Sequence, residues 1–485
     1  MKHIKSIKRG VILFLAATFL PLAACGSEAL PHPDTYLNHA NEPYKPKKIT
    51  DDPTDLIAAY PLKDALPPEI YKLMTFDVEE AKRQTAEILG FKSPDLVGNI
   101  APEIKPGKYT YKDVEKSPGF KELFPPEFLS FIKPGGPPLI ASIPEFEIIP
   151  TRQFYWYPKL CEATRQNLGK TKLDPGGYIV PFTWQGGVPF PKPSGKFKAR
   201  QVFYSFDKSY TSYDLCYSSK QEGLSFDRNL TRDKYTKSIS NNIKFMGRTL
   251  FPPYGWLDAQ AKRSGDFRAF TSAMLEPRSK KGLVLINHSY DDPAKNDRWM
   301  VYVPSLRRNR KLNPTDTQDP SGDLTYDDIS HISQKITPER YPYKFEIIEE
   351  REYLMPIEYN TGKVWIDSKN GYALREVQFM RRLCYVLQMT QLDNNYVYSK
   401  RILYIDKETF RSGFSVNYDQ NGRLYRTQVQ ALVFMSDTGQ ITTYGTHSFQ
   451  FDHLDLHSSF QLPVPFPASF ARRDFSIEYL INRGK

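Results

Sequence analysis

A chain of 485 residues with 40% hydrophobic side chains can bury a large core, and its 39 Pro, 31 Tyr and 31 Phe against 27 Gly favour strands and irregular connections over a helix bundle. Of the formal charge of +11, Lys2, Lys5, Lys8 and Arg9 carry four, so +7 remains without the leader. Lys and Arg are interspersed with Asp and Glu, which argues against a nucleic-acid stripe, and neither an RNA-binding aromatic-basic motif nor zinc-finger spacing is present.

The first ten residues, MKHIKSIKRG, are positively charged, and VILFLAATFLPLAA is an apolar stretch of signal-peptide rather than membrane-span length. Leu22-Ala23-Ala24-Cys25 follows at the cleavage position and has the form of a bacterial lipobox, in which a small residue precedes a cysteine whose thiol is acylated. Residues 1–24 therefore read as a lipoprotein signal peptide and Cys25 as the lipidated mature N-terminus. The alternative is ordinary secretion with cleavage after Ser27-Glu28-Ala29 and a soluble periplasmic protein. Gly26 stands where an inner-membrane lipoprotein carries Asp, so the expected location is the periplasmic side of the outer membrane.

Three further cysteines follow. Cys161 with Cys216 is the expected disulfide pair, and Cys384, inside the apolar run Leu383 to Leu387, reads as a buried inert thiol. Residues 25–151 form a Pro-rich arm with short helices. Asp77-Val-Glu-Glu80 opens one that carries Ala81, Ile88 and Leu89 on its apolar face and ends at Gly90. Others are expected at Pro67 to Met74 and Gly119 to Phe131, all too short to make a core alone.

Residues 152–485 change to a two-residue period. Strands are expected at Phe197 to Phe206, Gly282 to Asn287, Trp299 to Val303, Tyr343 to Ile348, Lys363 to Asp367, Ala373 to Met380, Cys384 to Thr390, Val397 to Ile405, Phe414 to Tyr418 and Leu424 to Met435. Asp419-Gln-Asn-Gly422 is a strong hairpin turn and Asp437-Thr-Gly439 a second one, so the carboxy-terminal half reads as a long antiparallel meander.

Catalytic patterns are absent: no G-x-S-x-G, H-E-x-x-H, phosphate loop or dinucleotide fingerprint occurs. His447, His453 and His457 read as packed or exposed rather than metal-binding, and Asp316, Asp319, Asp323, Asp327 and Asp328 as a solvated loop without EF-hand spacing. No cofactor and no metal are expected. A Ser, His and Asp cluster such as His447 with Asp452 would have to be assembled by the fold.

The most informative stretch is RWMVYVPSLRRNRKL, Arg298 to Leu312. A strand apolar at every position from Trp299 to Val303 needs cover on both faces, whereas a solvated sheet alternates. Trp299, Val301 and Val303 occupy one face, and Met300 and Tyr302 the other, so one set is expected to line an apolar ligand site. Arg307, Arg308, Arg310 and Lys311 follow, either as a rim that binds an anionic head group or as a solvated loop paired with the acids beyond it.

Several motifs recur in a familiar order: Tyr155-Trp-Tyr-Pro158 with Glu162-Ala-Thr-Arg-Gln166, then Gly187-Val-Pro-Phe-Pro191, then Trp299, Tyr302, Pro304, Arg307 and Arg308. Tyr341-Pro-Tyr-Lys-Phe345, Tyr398-Ser-Lys-Arg401-Ile-Leu-Tyr-Ile-Asp406 and Tyr418-Asp-Gln-Asn-Gly-Arg423-Leu-Tyr-Arg426 complete the set. Together they resemble the bacterial domain-of-unknown-function family 1329, whose members are often labelled outer membrane lipoprotein-sorting protein. The resemblance implies a LolA- or LolB-like fold: a strongly curved antiparallel sheet in an open half-barrel, closed by helices over an apolar cavity. It also implies a binder of acyl chains or another hydrophobic molecule with no catalytic residues, encoded near a transporter of the resistance-nodulation-division class and an outer-membrane protein as its expected partners.

The expectation is thus a mainly β, periplasm-facing outer-membrane lipoprotein that binds a lipid or lipoprotein acyl chain and takes part in its transport or sorting. The rival from a different class is an anchored docking scaffold of an efflux assembly that binds no lipid itself.

Overall fold

The computed structural model describes residues 68–134, 142–208, 212–312, 342–360, 364–442 and 448–483, apart from positions 230, 293, 368 and 469, together with 47–48, 56–57, 63, 320–321 and 324–325. Cys25, His447 and the acidic stretch around Asp316, Asp319, Asp323, Asp327 and Asp328 lie outside the described residues. Among those described, no helix is long and apolar enough to cross a membrane.

One 15-stranded sheet dominates the molecule. Its strands are β1 (Gly107–Thr110), β2 (Glu145–Ile149), β3 (Tyr217–Phe226), β4 (Arg232–Lys244), β5 (Asp266–Glu276), β6 (Val284–Tyr290), β7 (Arg298–Val303) and β8 (Arg308–Leu312). They continue with β9 (Tyr343–Met355), β10 (Val377–Gln391), β11 (Lys400–Asp406), β12 (Ser412–Tyr418), β13 (Leu424–Gln430), β14 (Ser448–Asp452) and β15 (His457–Pro467). Across the sheet the order is β8-β7-β6-β5-β4-β3-β15-β14-β13-β12-β11-β10-β2-β1, with β9 also paired to β10. The ends do not meet, so the sheet is open.

The sheet is mixed rather than antiparallel throughout. Phe146–Ile149 of β2 run parallel to Val377–Met380 at the start of β10, and β9 pairs antiparallel with the rest of that strand. Parallel neighbours need a long crossover, and the whole of β3 to β9 lies between these two strands in the chain. The expected meander is real from β10 to β13, where each strand pairs antiparallel with the next.

Three helices are longer than the rest among the described residues. α1 (Val78–Leu89) begins at Asp77, whose carboxylate accepts the amides of Glu79 and Glu80, and ends at Gly90 in the left-handed region. Ala81, Thr85, Ile88 and Leu89 form its buried face. α2 (Pro158–Asn167) starts with the proline of the Tyr-Trp-Tyr-Pro motif. α3 (Lys198–Lys208) replaces the strand expected at Phe197 to Phe206. Ala199, Val202, Phe203 and Phe206 recur at three- and four-residue spacing, and Phe203 meets Phe345 of β9 at 5.1 Å between ring centroids.

Other expectations shift at specific residues. Glu376, at φ 55, separates Ala373–Arg375 from β10, and the rest of that expected strand joins the one expected at Cys384 to Thr390 in the single strand Val377–Gln391. Leu424 to Met435 breaks at Ala431, and Leu432–Met435 leaves the sheet to lie beside Ile357–Tyr359. The Asp419 turn forms as expected between β12 and β13: Asp419 Oδ1 accepts the amides of Asn421 and Arg423, and Gly422 takes φ 75. β3 and β4, with sequences YSSKQEGLSF and RDKYTKSISNNIK, have too little apolar alternation to stand out before pairing.

The amino-terminal helices share the core of the sheet. Phe124 packs against Phe379 at 5.1 Å, Phe128 against Phe414 at 4.4 Å and Phe131 against Phe449 at 5.5 Å. Each of these phenylalanines is almost fully buried, which contributes roughly 1.5–3 kcal/mol per side chain.

Candidate functional site

β7 is second from one edge of the sheet, between β6 and β8, and its register decides which side chains share a face. Met300 opposes Ile286 and Tyr302 opposes Val284, whereas Trp299 opposes Asn287 and Val301 opposes Leu285. On β5, Phe270 opposes Asn287 and Ser272 opposes Leu285.

The Met300 and Tyr302 face is covered by the carboxy-terminal segment. Tyr302, Ile477 and Tyr479 pack on buried Val284 and Ile286, and Phe475 packs with Ile243, Phe245, Ala261 and Ala269. Arg472 fixes that segment to the sheet, with Nη1 2.6 Å from Asp266 Oδ2 and Nη2 2.8 Å from Asp258 Oδ1. Burial raises the Asp266 carboxyl pKa, but hydrogen bonding by His288 and Arg472 outweighs it and leaves the group below its ordinary value.

The opposite face carries Trp299, Val301 and Val303 of β7, Leu285 of β6, and Phe270 and Met274 of β5, all of them half-buried. Apart from the exposed Arg298, every residue of β7 is half-buried, on both faces alike.

The four cations after β7 are not a loop. Arg307 takes the left-handed turn position at φ 47, and Arg308–Leu312 return as the edge strand β8. Arg308 opposes Val303 and Arg310 opposes Val301, so both guanidinium groups lie on the Trp299 face. Lys311 opposes Met300 and lies on the other side. All four cations are exposed. Val301 and Val303 thus each face an arginine on β8, while Trp299 faces Leu312, an arrangement suited to an amphiphile whose chain lies on the sheet and whose anionic group reaches β8.

Side chains of the other motifs are hydrogen-bonded inside the structure. Trp156 Nε1 donates to the Glu408 carbonyl at 2.9 Å, Arg426 Nη1 donates to Tyr398 Oη at 3.0 Å, and Arg401 Nε to Asn417 Oδ1 at 2.7 Å. Their polar atoms are spent on holding strands and arm together. Two buried ion pairs flank Trp184: Lys208 with Asp291 at 3.1 Å and Lys244 with Asp214 at 2.6 Å, each lysine also within about 5 Å of the indole.

The three described cysteines are free and buried. The expected Cys161–Cys216 pair is not formed: Cys161 Sγ lies 3.6 Å from Thr85 Oγ1, whereas Cys216 accepts a hydrogen bond from Arg248 at 3.3 Å. Cys384 is fully buried and its thiol is pushed up by desolvation. His453 Nε2 is 2.8 Å from Thr427 Oγ1 with its ring against Phe451, and His457 opposes Asp452 at the start of β15. Among the described residues no group of three His, Cys, Asp or Glu side chains is placed to hold a metal ion.

A family model described as a protein of unknown function (DUF1329) matches residues 128–461, more than half of the chain. No curated protein matches it. Among solved structures, a domain assigned as an outer membrane lipoprotein-sorting protein from Vibrio parahaemolyticus is 16% identical, with a TM-score of 0.38, covering 59% of this chain and 97% of that one. A DUF1329 family protein from Desulfovibrio piger is 15% identical, with a TM-score of 0.39 and coverages of 57% and 96%. A LolA superfamily protein from Nitrosomonas europaea is 14% identical, with a TM-score of 0.36 and coverages of 58% and 98%.

Proposed function

Because the chain belongs to the DUF1329 family of proteins of unknown function, we propose that it binds hydrophobic ligands and receives an acyl chain on the half-buried face of β5, β6 and β7. One observation supports this reading: Phe270, Leu285, Trp299 and Val301 share one face of three strands, interrupted by Asn287 and Ser272, the other face lies under the carboxy-terminal segment, and Arg310 and Arg308 stand opposite Val301 and Val303 on β8. Burial alone supplies about 0.8 kcal/mol per methylene, so a chain of about eight methylenes offers about 6 kcal/mol before any contact to its head group.

The same proposal extends to the setting. Cys25 carries a lipid anchor in the outer membrane, the protein faces the periplasm, and the sheet curves as a half-barrel beneath the amino-terminal arm. It passes its ligand to or from an envelope partner, of which a resistance-nodulation-division transporter with an outer-membrane protein is the kind the family resemblance implies. The leader and the motifs support these parts.

Native mass spectrometry with lipid extraction tests the reading on the mature chain, expressed in a bacterial periplasm with Cys25→Ser so that its own anchor is absent. Stoichiometric copurified lipid, lost in Val301→Asp, is the expected result. A mass that stays lipid-free when lipids and detergents are offered would overturn it and favour a docking scaffold.

A further inference from the structure

Val284 opposes Ala273 on one side and Tyr302 on the other, so the turn between β5 and β6 and the turn between β7 and β8 project from the same end of the sheet. The first presents Leu275, 36% exposed, with exposed Arg278, Lys280 and Lys281. The second presents Leu306, 46% exposed, with exposed Arg307 and Arg308. None of these cations is in an ion pair or a side-chain hydrogen bond among the described residues, and Glu276 is the one carboxylate on the two turns.

The turns do not depend on those side chains for their shape. Each is closed through the backbone, with the Lys280 amide donating to the Pro277 carbonyl at 2.9 Å and the Arg307 amide to the Pro304 carbonyl at 3.0 Å. Cations beside an exposed leucine, repeated on two adjoining turns, match a surface that is anionic outside and apolar beneath.

We propose that this end of the sheet docks on a bilayer that contains anionic phospholipid. Arg278, Lys280, Lys281, Arg307 and Arg308 meet the phosphates, and Leu275 and Leu306 enter the head-group layer. Each cation held close to an anionic leaflet raises affinity roughly fivefold. An acidic protein would match the charge but not the two separate leucines, because a protein interface buries a continuous apolar core. The inference goes beyond the ligand reading: Arg308 alone is shared with it, and the bilayer is met whether or not the sheet holds an acyl chain.

Sedimentation with vesicles tests the proposal on the full mature chain carrying Cys25→Ser, using equal parts of phosphatidylglycerol and phosphatidylcholine, with phosphatidylcholine alone as the neutral control. Binding to the anionic vesicles is expected, at least tenfold weaker on the neutral ones and in Lys280→Ala with Lys281→Ala, several-fold weaker in Leu306→Asp, and unchanged in Val301→Asp. Lys262→Ala with Arg263→Ala removes the same charge from the helix Ala259–Ser264, which leads into β5 at its other end, and should change nothing. The turn and helix residues are exposed, so their variants fold normally, and an unchanged urea midpoint checks this. Binding to neither vesicle, which would point to an acidic protein instead, overturns the proposal, as does equal binding to both. Equal loss in the two double variants would mean that net charge governs binding, and loss in Val301→Asp that the sheet extracts lipid; either overturns it. Copurified lipid is expected to persist in Lys280→Ala with Lys281→Ala, which keeps this test separate from that of the ligand reading.

Discussion

Arg382 and Glu408 form an ion pair at 2.6 Å in which the side chains are 0% and 1% exposed. The same guanidinium holds Asp406 through Nε at 2.6 Å and the Arg152 carbonyl through Nη1 at 2.7 Å, with its face on Phe154. Glu408 in turn accepts the amides of Ser93 at 2.6 Å and Phe154 at 2.8 Å. Arm and sheet are therefore joined through one buried charge network in which each charge is paired. Arg382→Met would leave two carboxylates without their cation and should cost about 3–5 kcal/mol. Equilibrium urea unfolding reads this directly, and a loss below about 1 kcal/mol would contradict the network's role.

Gly187, in the Gly-Val-Pro-Phe-Pro motif, has φ +74, and a Cβ there would meet the Thr164 amide nitrogen at 2.4 Å and its Cα at 2.6 Å. The obstacle is α2 backbone rather than a movable side chain. Gly187→Ala should therefore destabilise by more than about 3 kcal/mol or abolish folding, as the strain of a left-handed alanine adds to the clash. Thermal unfolding of the purified variant beside Gly195→Ala, which has φ +70 but open space, separates clash from strain.

Burial pushes the His453 imidazole down to about 4, only partly opposed by nearby Asp452. An unfolded histidine titrates near 6.5, so its folded value is depressed. The stability it contributes is complete above about pH 6.5 and is lost as pH falls toward about 4. Because the ring is partly exposed, we expect a loss of roughly 2 kcal/mol over that window. Urea midpoints of the parent and His453→Gln at about pH 7.5 and about pH 5 give the measurement, with a flatter response expected in the variant.

The two faces of β7 should respond differently to mutation. Val301→Asp places a charge on the half-buried apolar row and should reduce lipid uptake while moving the urea midpoint little. Tyr302→Ala removes packing between Val284, Ile286 and the carboxy-terminal segment and should cost about 1–2 kcal/mol with smaller effect on uptake. The reverse pattern would exchange the assignment of the faces.

Arg308 and Arg310 share the face of Val301 and Val303, and Lys311 does not. In a competition assay with fluorescent anionic and uncharged amphiphiles, Arg308→Ala with Arg310→Ala should weaken only the anionic one, by several-fold at low salt. Lys311→Ala should weaken it less. Equal effects of all three would mean that net charge, not placement, governs binding.

Residue order alone was enough for those features that depend on local chemistry. The caps of α1 at Asp77 and Gly90, the Asp419 hairpin and the run of strands from β10 to β13 are written in turn residues, caps and two-residue alternation, which act over a few positions. The family resemblance is legible in motifs written as short residue runs, some of which, such as Trp156, are tied into the interior while others, such as Arg307 and Arg308, are exposed.

Tertiary structure decided the rest, because those outcomes depend on partners distant in the chain. α3 reads as a strand until Phe203 finds Phe345, and the serine- and lysine-rich β3 and β4 become strands only by pairing with β15 and β5. β2 joins β10 in parallel across a crossover that no local signal announces. The candidate site divides in the same way. Trp299 to Val303 announce an apolar strand, but only the register with β6 and β8 assigns Trp299, Val301, Arg308 and Arg310 to one face and places Met300, Tyr302 and Lys311 on the other. A strand's alternation sorts its side chains into two sets, and hydrogen bonding to its neighbours determines which set the protein covers.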